Sequence, residues 1–319
     1  MPKILIIGAN GQLGSELAIA LADKYGAAQI VTSDISPAQP SGLRHEILDA
    51  TDADALRRVV TENAISQVYH LAAALSATGE KNPLWAWNLN MTSLLNVLEL
   101  ARERKLSVFW PSSIAVFGST TPADHTPQKT IIEPETVYGI SKQAGEGWCR
   151  WYNETHGVDV RSLRYPGLIS WKTPPGGGTT DYAIDIFRAA VLGETYSCFL
   201  DAHETLPMMY MADAIRATIE LMEAPADTIT ERGSYNVSGV SFSPAEIAAE
   251  IARQSPGFHI EYAPDYRQAI AAAWPDSLDD SQAATDWGWR AEYGLPQLVS
   301  EMLAGMKRHA PVTLHQMAK

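Results

Sequence analysis

Tyr138-Gly139-Ile140-Ser141-Lys142 sets a phenol and an ammonium four residues apart. On a helix that spacing puts both on one face, where they can act as a unit. A phenol of ordinary pKa, about 10, is a poor base near neutrality, but a nearby ammonium stabilises its phenolate, and Tyr138 can then take a proton from a substrate hydroxyl. By itself the pair is more often a surface contact. Its weight comes from the hydroxyls of Ser112 and Ser113 upstream, in Pro111-Ser112-Ser113-Ile114-Ala115-Val116-Phe117-Gly118, at a strand end that faces the ligand crevice of an open parallel sheet.

A second constellation is Gly8-Ala9-Asn10-Gly11-Gln12-Leu13-Gly14, directly after an apolar strand and directly before a helix. Small residues there let the backbone turn tightly and approach a pyrophosphate, whose charge is stabilised by free amides and the helix dipole. Asp34 stands twenty residues beyond Gly14, where a carboxylate accepts hydrogen bonds from ribose hydroxyls. An Asp at a strand end is as readily a turn or cap residue; the upstream glycines favour the ribose role. Asp34 would repel a 2′-phosphate, and no Arg or Lys follows in Ile35-Ser36-Pro37, so NAD is expected over NADP.

The elements that must position these groups alternate. Apolar runs over Lys3–Ile7, Gln29–Ser33, Gln67–Leu71, Val108–Ser112 and Asp159–Tyr165 predict strands; stretches near Gln12–Lys24, Asp52–Glu62, Trp85–Arg104 and Tyr138–His156 predict helices. The order implies an α/β fold: a Rossmann-type doubly wound parallel sheet with right-handed crossovers. Residues 1–165 are expected to form the cofactor-binding domain, and 166–319 a smaller substrate-covering region with helices near Tyr182–Leu192 and Ala212–Met222. A segment near 228–240 returns to the main sheet in this reading. The last ten residues are expected to fray.

Composition narrows the classes. With 46% apolar residues, 319 residues can fill a substantial core. A net charge of −13 and a pI near 5.0 disfavour a nucleic-acid partner and favour a small-molecule substrate. Two cysteines, Cys149 and Cys198, support neither a disulfide scaffold nor a zinc-thiolate site, so buried reduced thiols and no metal are expected. The first apolar run is too short to span a membrane and lacks a cleavage pattern, which makes a cytoplasmic location, without membrane contact, the default.

Ser112 to Gly118 resembles the Ser-Ser-x-x-Val-Tyr-Gly motif of the extended short-chain dehydrogenase/reductases, the group of the sugar-nucleotide epimerases, with Phe117 in place of the usual Tyr. The resemblance implies that Ser113 polarises the reacting oxygen beside Tyr138 and that Lys142 holds the ribose of the nicotinamide half. It places Asp49 and Leu71-Ala72-Ala73 at adenine and phosphate-flanking contacts, and Tyr165, Pro166 and Leu168 beside the cofactor. Asn90 resembles an asparagine near the nicotinamide; a buried side chain bonded to helix backbone explains it equally well. Further segments resemble the short-chain type of L-threonine 3-dehydrogenase: Arg164 to Trp171, Pro174 to Tyr182, Met208 to Met211, Trp274 to Ser281, and Asp286 to Trp289. In that reading Gly176 to Gly178 is a mobile run that closes over a small ligand. Thr179 and Thr180 meet a carboxylate or ammonium, Ser76 adds a donor, and Trp274 walls the pocket. Loop solvation for Ser76 and the threonines, and core packing for Trp274, are the competing readings.

The resemblance implies oxidation of the L-threonine hydroxyl by NAD to 2-amino-3-ketobutyrate, in threonine catabolism, without a metal and with functional coupling to a coenzyme A-dependent ligase. It also implies a homodimer through two long helices, Trp85–Arg104 and Tyr138–His156, with Trp148, Cys149, Trp151 and Tyr152 on the shared face. A nucleotide-sugar epimerase or dehydratase is the main alternative; it would need cations for a second pyrophosphate, and only ten Lys and Arg follow Pro166, Lys172, Arg188 and Arg216 among them. A non-catalytic NAD sensor is the other, although it need not keep both Tyr138 and Lys142.

Overall fold

β1 (Ile4–Ile7) is buried at all four positions, as expected of a strand covered by helices on both faces. The computed structural model describes residues 1–37 and 41–316. After β1 come α1 (Gln12–Tyr25), β2 (Ile30–Asp34), β3 (Arg44–Ile47), α2 (Ala53–Glu62), β4 (Gln67–His70), α3 (Ser76–Lys81), α4 (Pro83–Arg104), β5 (Ser107–Ser113), α5 (Val137–His156) and β6 (Val160–Tyr165). The chain continues through β7 (Gly167–Ile169), α6 (Tyr182–Leu192), β8 (Tyr196–Cys198), β9 (Leu206–Tyr210), α7 (Met211–Glu223), β10 (Tyr235–Asn236), β11 (Val240–Phe242), α8 (Pro244–Gln254), β12 (Ile260–Tyr262), α9 (Tyr266–Ala271), α10 (Ser281–Trp287) and α11 (Leu295–Gln316).

Seven strands form the main sheet in the order β3-β2-β1-β4-β5-β6-β10, and every pairing is parallel. The order reverses between β1 and β4, so a crevice opens at their carboxyl ends. All five expected strands form. β3 is a strand beyond those five: its Arg-His-Glu-Ile sequence is polar and partly exposed at the sheet edge, so it lacks an apolar strand signature. Tyr235–Asn236 pairs with Leu163–Arg164, which brings a late segment back beside β6.

Past β6 the chain builds a second layer, a three-stranded sheet β11-β9-β7 and a pair β12-β8. Its core joins Ile114–Phe117 to α6, α8 and α11, so the turn after β5 is shared between the two layers. Cys149 and Cys198 are both buried free thiols. α11 extends to Gln316, so helical backbone enters the stretch whose sequence suggests fraying; residues 317–319 lie outside those described. Among the described residues no helix is long and apolar enough to cross a membrane.

Candidate active site

The turn between β1 and α1 is built by close backbone contact. Gly8 has φ +82°, and a Cβ on Gly14 would stand 2.3 Å from the Gly8 carbonyl oxygen and 2.8 Å from Ala9 Cα. Only glycine at 14 lets α1 begin this close to β1, so its first amides point into the crevice. Gln12 Nε2 is buried there without a hydrogen-bond partner, a donor awaiting an acceptor. At the end of β2 the Asp34 carboxylate accepts from the Asn10 amide (3.1 Å) and from the Ser36 amide and hydroxyl (3.4 and 3.2 Å). These features suit the phosphates and ribose of a dinucleotide.

Ser113 ends β5 and caps the short helical turn Ile114–Val116, its Oγ accepting from the Ala115 amide at 3.2 Å. α5 starts at the Thr136 cap, whose hydroxyl accepts from the Gly139 amide at 3.0 Å. A Cβ on Gly139 would lie 2.0 Å from the Ala115 carbonyl; its absence lets α5 settle on that turn and brings Tyr138 to the same cavity wall as Ser113. Burial pushes the Tyr138 phenol up to about 12, against a smaller lowering by the Ser113 hydroxyl. Lys142 is 3% exposed. Its Nζ donates to the Pro111 carbonyl at 2.5 Å and stands 4.5 Å from the Trp110 ring centre and 5.4 Å from that of Tyr138. Burial drives its pKa down to about 7, opposed by Cys149 and Glu146.

One turn beyond Lys142, Glu146 is buried and bridges two strands, β5 and β6. It accepts from Ser112 Oγ (2.6 Å) and, through both oxygens, from Arg164 of β6 (2.9 and 2.8 Å). Arg164 also donates to the Gln128 carbonyl and to Asn236 Oδ1, each at 3.0 Å. Near the end of β4, His70 is buried; Ser93 Oγ donates to the Leu89 carbonyl, so His70 Nε2 carries the proton and donates to Ser93 at 3.0 Å. Its Nδ1 has no partner, and burial, with Lys142 adding to it, lowers its pKa to about 3.

The crevice opens into a cavity of about 270 Å³. Of the sequence-predicted residues, Gly8, Gly11, Gln12, Leu13, Gly14, Leu71, Ala73, Ser76, Ser113, Tyr138, Lys142, Tyr165, Pro166, Leu168, Gly178, Thr179, Thr180 and Trp274 all line it. Thr179 is 1% exposed and its hydroxyl has no partner. Trp274 both walls the cavity and packs in the core of the second layer. Asn10, Asp34, Asp49, Ala72 and Asn90 are not among the lining residues. Asp49 closes a turn, accepting from the Thr51 amide and hydroxyl at 2.9 and 2.7 Å.

Asn90 bonds neither to its own helix backbone nor into the cavity. Its amide accepts from the Ala74 amide (2.8 Å) and donates to the Ala74 carbonyl (3.2 Å) and Ser141 Oγ (3.0 Å), which fastens the segment before Ser76 to α5. Asp181 also lines the cavity and carries no sequence expectation; it accepts from the Gly177 and Gly178 amides at 2.9 and 2.7 Å, and burial raises its carboxyl to about 6, chiefly against those two bonds. Among the described residues Lys142 is the only Lys or Arg lining the cavity. Lys172 pairs with Glu16, and Arg216 with Asp213 and Glu220.

The proposed shared face of α4 and α5 needs one correction. Cys149 and Tyr152 point into the core beneath α5, at 0% and 3% exposure, whereas Trp148 and Trp151 stay 39% and 44% exposed. α5 packs inward through one stripe and leaves the neighbouring one exposed.

Residues 4–238 match the NAD dependent epimerase/dehydratase family. An uncharacterized epimerase/dehydratase of Staphylococcus haemolyticus is 45% identical over 312 residues, covering 96% of this chain and 98% of that protein. Among solved structures, a GalE-like L-threonine dehydrogenase from Cupriavidus necator, in its holo form, superposes with a TM-score of 0.95 at 70% identity, over 96% of this chain and 100% of that one. A monomeric L-threonine 3-dehydrogenase from a metagenome, in its apo form, superposes at 0.93 and 46%, over 96% and 99%.

Proposed function

Because this chain belongs to the NAD-dependent epimerase/dehydratase family, we propose that it is an NAD-dependent L-threonine 3-dehydrogenase, forming 2-amino-3-ketobutyrate. The observation that carries the reading is the Thr179 hydroxyl, buried and unpartnered in a cavity shared with Ser113 and Tyr138. A small polar ligand satisfies that hydroxyl; among the described residues a second pyrophosphate finds no cation on the cavity wall besides Lys142.

Gly8 to Gly14 and the N-terminus of α1 hold the dinucleotide phosphates, Asp34 the adenosine ribose and Lys142 the other ribose, with Tyr165, Pro166 and Leu168 alongside. NAD, when bound, accepts the hydride from the substrate carbon. Ser113 orients the substrate hydroxyl and Tyr138 takes its proton, the nearby Lys142 charge supporting the phenolate. Thr179, Thr180 and Ser76 engage the amino-acid end, and Trp274 keeps water from the reacting face. The product loses carbon dioxide or passes to a coenzyme A-dependent ligase.

The test is NADH formation with L-threonine and NAD, beside NADP, L-allo-threonine, L-serine, secondary alcohols and a nucleotide sugar. Turnover restricted to L-threonine and NAD supports both the substrate and the role of Asp34; turnover of the nucleotide sugar alone rejects the reading. Leu84, Trp85 and Trp87 of α4 and Trp148 and Trp151 of α5 are exposed apolar side chains that a second copy would cover. Light scattering showing a monomer, as the metagenomic neighbour is described, would remove the dimer.

A further inference from the structure

Glu16 lies one turn into α1, on the helix whose first amides face the crevice, and is 8% exposed. A carboxylate this buried requires partners. Both come from the segment just after β7: the Ser170 hydroxyl donates to one oxygen, and Lys172 Nζ stands 3.0 Å from the other. Ser170 Oγ in turn accepts from the Lys172 amide at 3.1 Å, and Ser15 Oγ meets Thr173 Oγ1 at 3.0 Å. Residues 170–173 are therefore moored to α1 at three points, and the Lys172 amide bond to Ser170 braces the segment internally. The next eight residues are Pro174-Pro175-Gly176-Gly177-Gly178-Thr179-Thr180-Asp181, and Asp181 ties the far end of that loop through the Gly177 and Gly178 amides.

We propose that Glu16 is a positioning residue: it fixes the near end of the 174–181 loop to the cofactor-facing helix, setting where Thr179 and Thr180 stand relative to Tyr138. The inference rests on the proposed role of these threonines in substrate binding. Three glycines, Gly177 among them in the left-handed region (φ +90°), leave the loop little stiffness of its own, so its position is imposed by its two ends. Glu16 does this without touching the cavity, whose lining excludes it.

The test compares Glu16→Ala, Glu16→Gln and Lys172→Met with the wild-type chain. Hydrogen exchange of the amides at 176–180 should quicken by on the order of tenfold in Glu16→Ala, which loses the bonds of a charged acceptor. In Lys172→Met, which removes only the half-exposed ion pair, the change should be about threefold. KM for L-threonine should rise in the same order, with kcat changed less and NAD affinity, read by calorimetry, unchanged. Loop exchange and KM equal to wild type in all three variants overturn the inference. So does NAD affinity weakening in step with KM, since Glu16 would then act on the cofactor helix itself. If Glu16→Ala does not fold, Glu16→Gln and Lys172→Met decide the matter. The exchange measurement needs no substrate, so a failed threonine assay leaves this test standing.

Discussion

Replacing Lys142 by Met should make the protein more stable at neutral pH while removing its activity. The ordinary lysine pKa of 10.5 falls to about 7 in the folded chain. The folded state therefore binds this proton more weakly than the unfolded one, and protonation favours unfolding. The resulting destabilisation is full below pH 7 and fades as pH rises toward 10.5. At pH 7 it amounts to about 4 kcal/mol, at about 1.4 kcal/mol for each tenfold in proton affinity. Two contacts offset it: the Pro111 carbonyl bond, worth about 2 kcal/mol for a charged donor, and the Trp110 ring, worth about 1 kcal/mol. Lys142→Met should thus gain about 1 kcal/mol at pH 7, about 1.5 °C in Tm for a chain of this length. By pH 10 the folded amine is neutral, so the charged-donor and ring contributions fade together with most of the penalty, and the two proteins should be equally stable to within about 1 kcal/mol. Activity moves the other way, because an ammonium 5.4 Å from the Tyr138 ring centre is worth about 3 kcal/mol at an effective dielectric of 20. Turnover should fall at least about a hundredfold. Thermal melts of the cofactor-free proteins at pH 7 and pH 10, with NADH formation alongside, decide the case. A variant less stable than wild type at pH 7, or an advantage that is larger at pH 10 than at pH 7, refutes the reasoning.

Tyr138→Phe removes the proton acceptor and should lower kcat by roughly 10²–10⁴ with NAD affinity retained; near-wild-type turnover would sink the assignment. Thr179→Val should raise KM for L-threonine about tenfold, the equivalent of 1.4 kcal/mol, and stabilise the ligand-free protein by about 1 kcal/mol by removing an unsatisfied hydroxyl; steady-state kinetics and melts read both. His70, held neutral by burial with a pKa near 3, binds its proton more weakly folded than unfolded, so stability drops as pH falls from 6.5 toward 3. His70→Gln should lose about 3 kcal/mol less than wild type between pH 7 and pH 4 in denaturant titrations.

What the sequence disclosed was local. The glycine turn, Asp34 and the Tyr138–Lys142 pair each announce themselves within a few residues, because spacing along one helix or one turn already fixes their geometry. The edge strand Arg44–Ile47 lacks apolar alternation and is legible only through its pairing with β2. Asp181 follows Thr180 directly, yet nothing in the sequence tells that its carboxylate turns back onto Gly177 and Gly178. Asn90, Glu16 and the Glu146–Arg164 pair depend on partners 16 to 156 residues away, and no window along the chain contains them. Cys149 and Tyr152 share a helix with exposed tryptophans, and only packing separates the two stripes.

The Arg164 guanidinium has a consequence for biosynthesis. When the nascent chain has emerged through Tyr165, Arg164 already has Glu146 and Gln128 within reach, but Asn236, whose side chain completes its cage, lies 72 residues beyond Arg164 and is still to be added. A charge enclosed before its last partner arrives is costly, so the catalytic wall reaches its final form only once β10 is synthesised. A split-protein design or a truncation screen should therefore place its break after Asn236 and not between β6 and β7; the earlier break hands one fragment a buried cation and the other its missing acceptor.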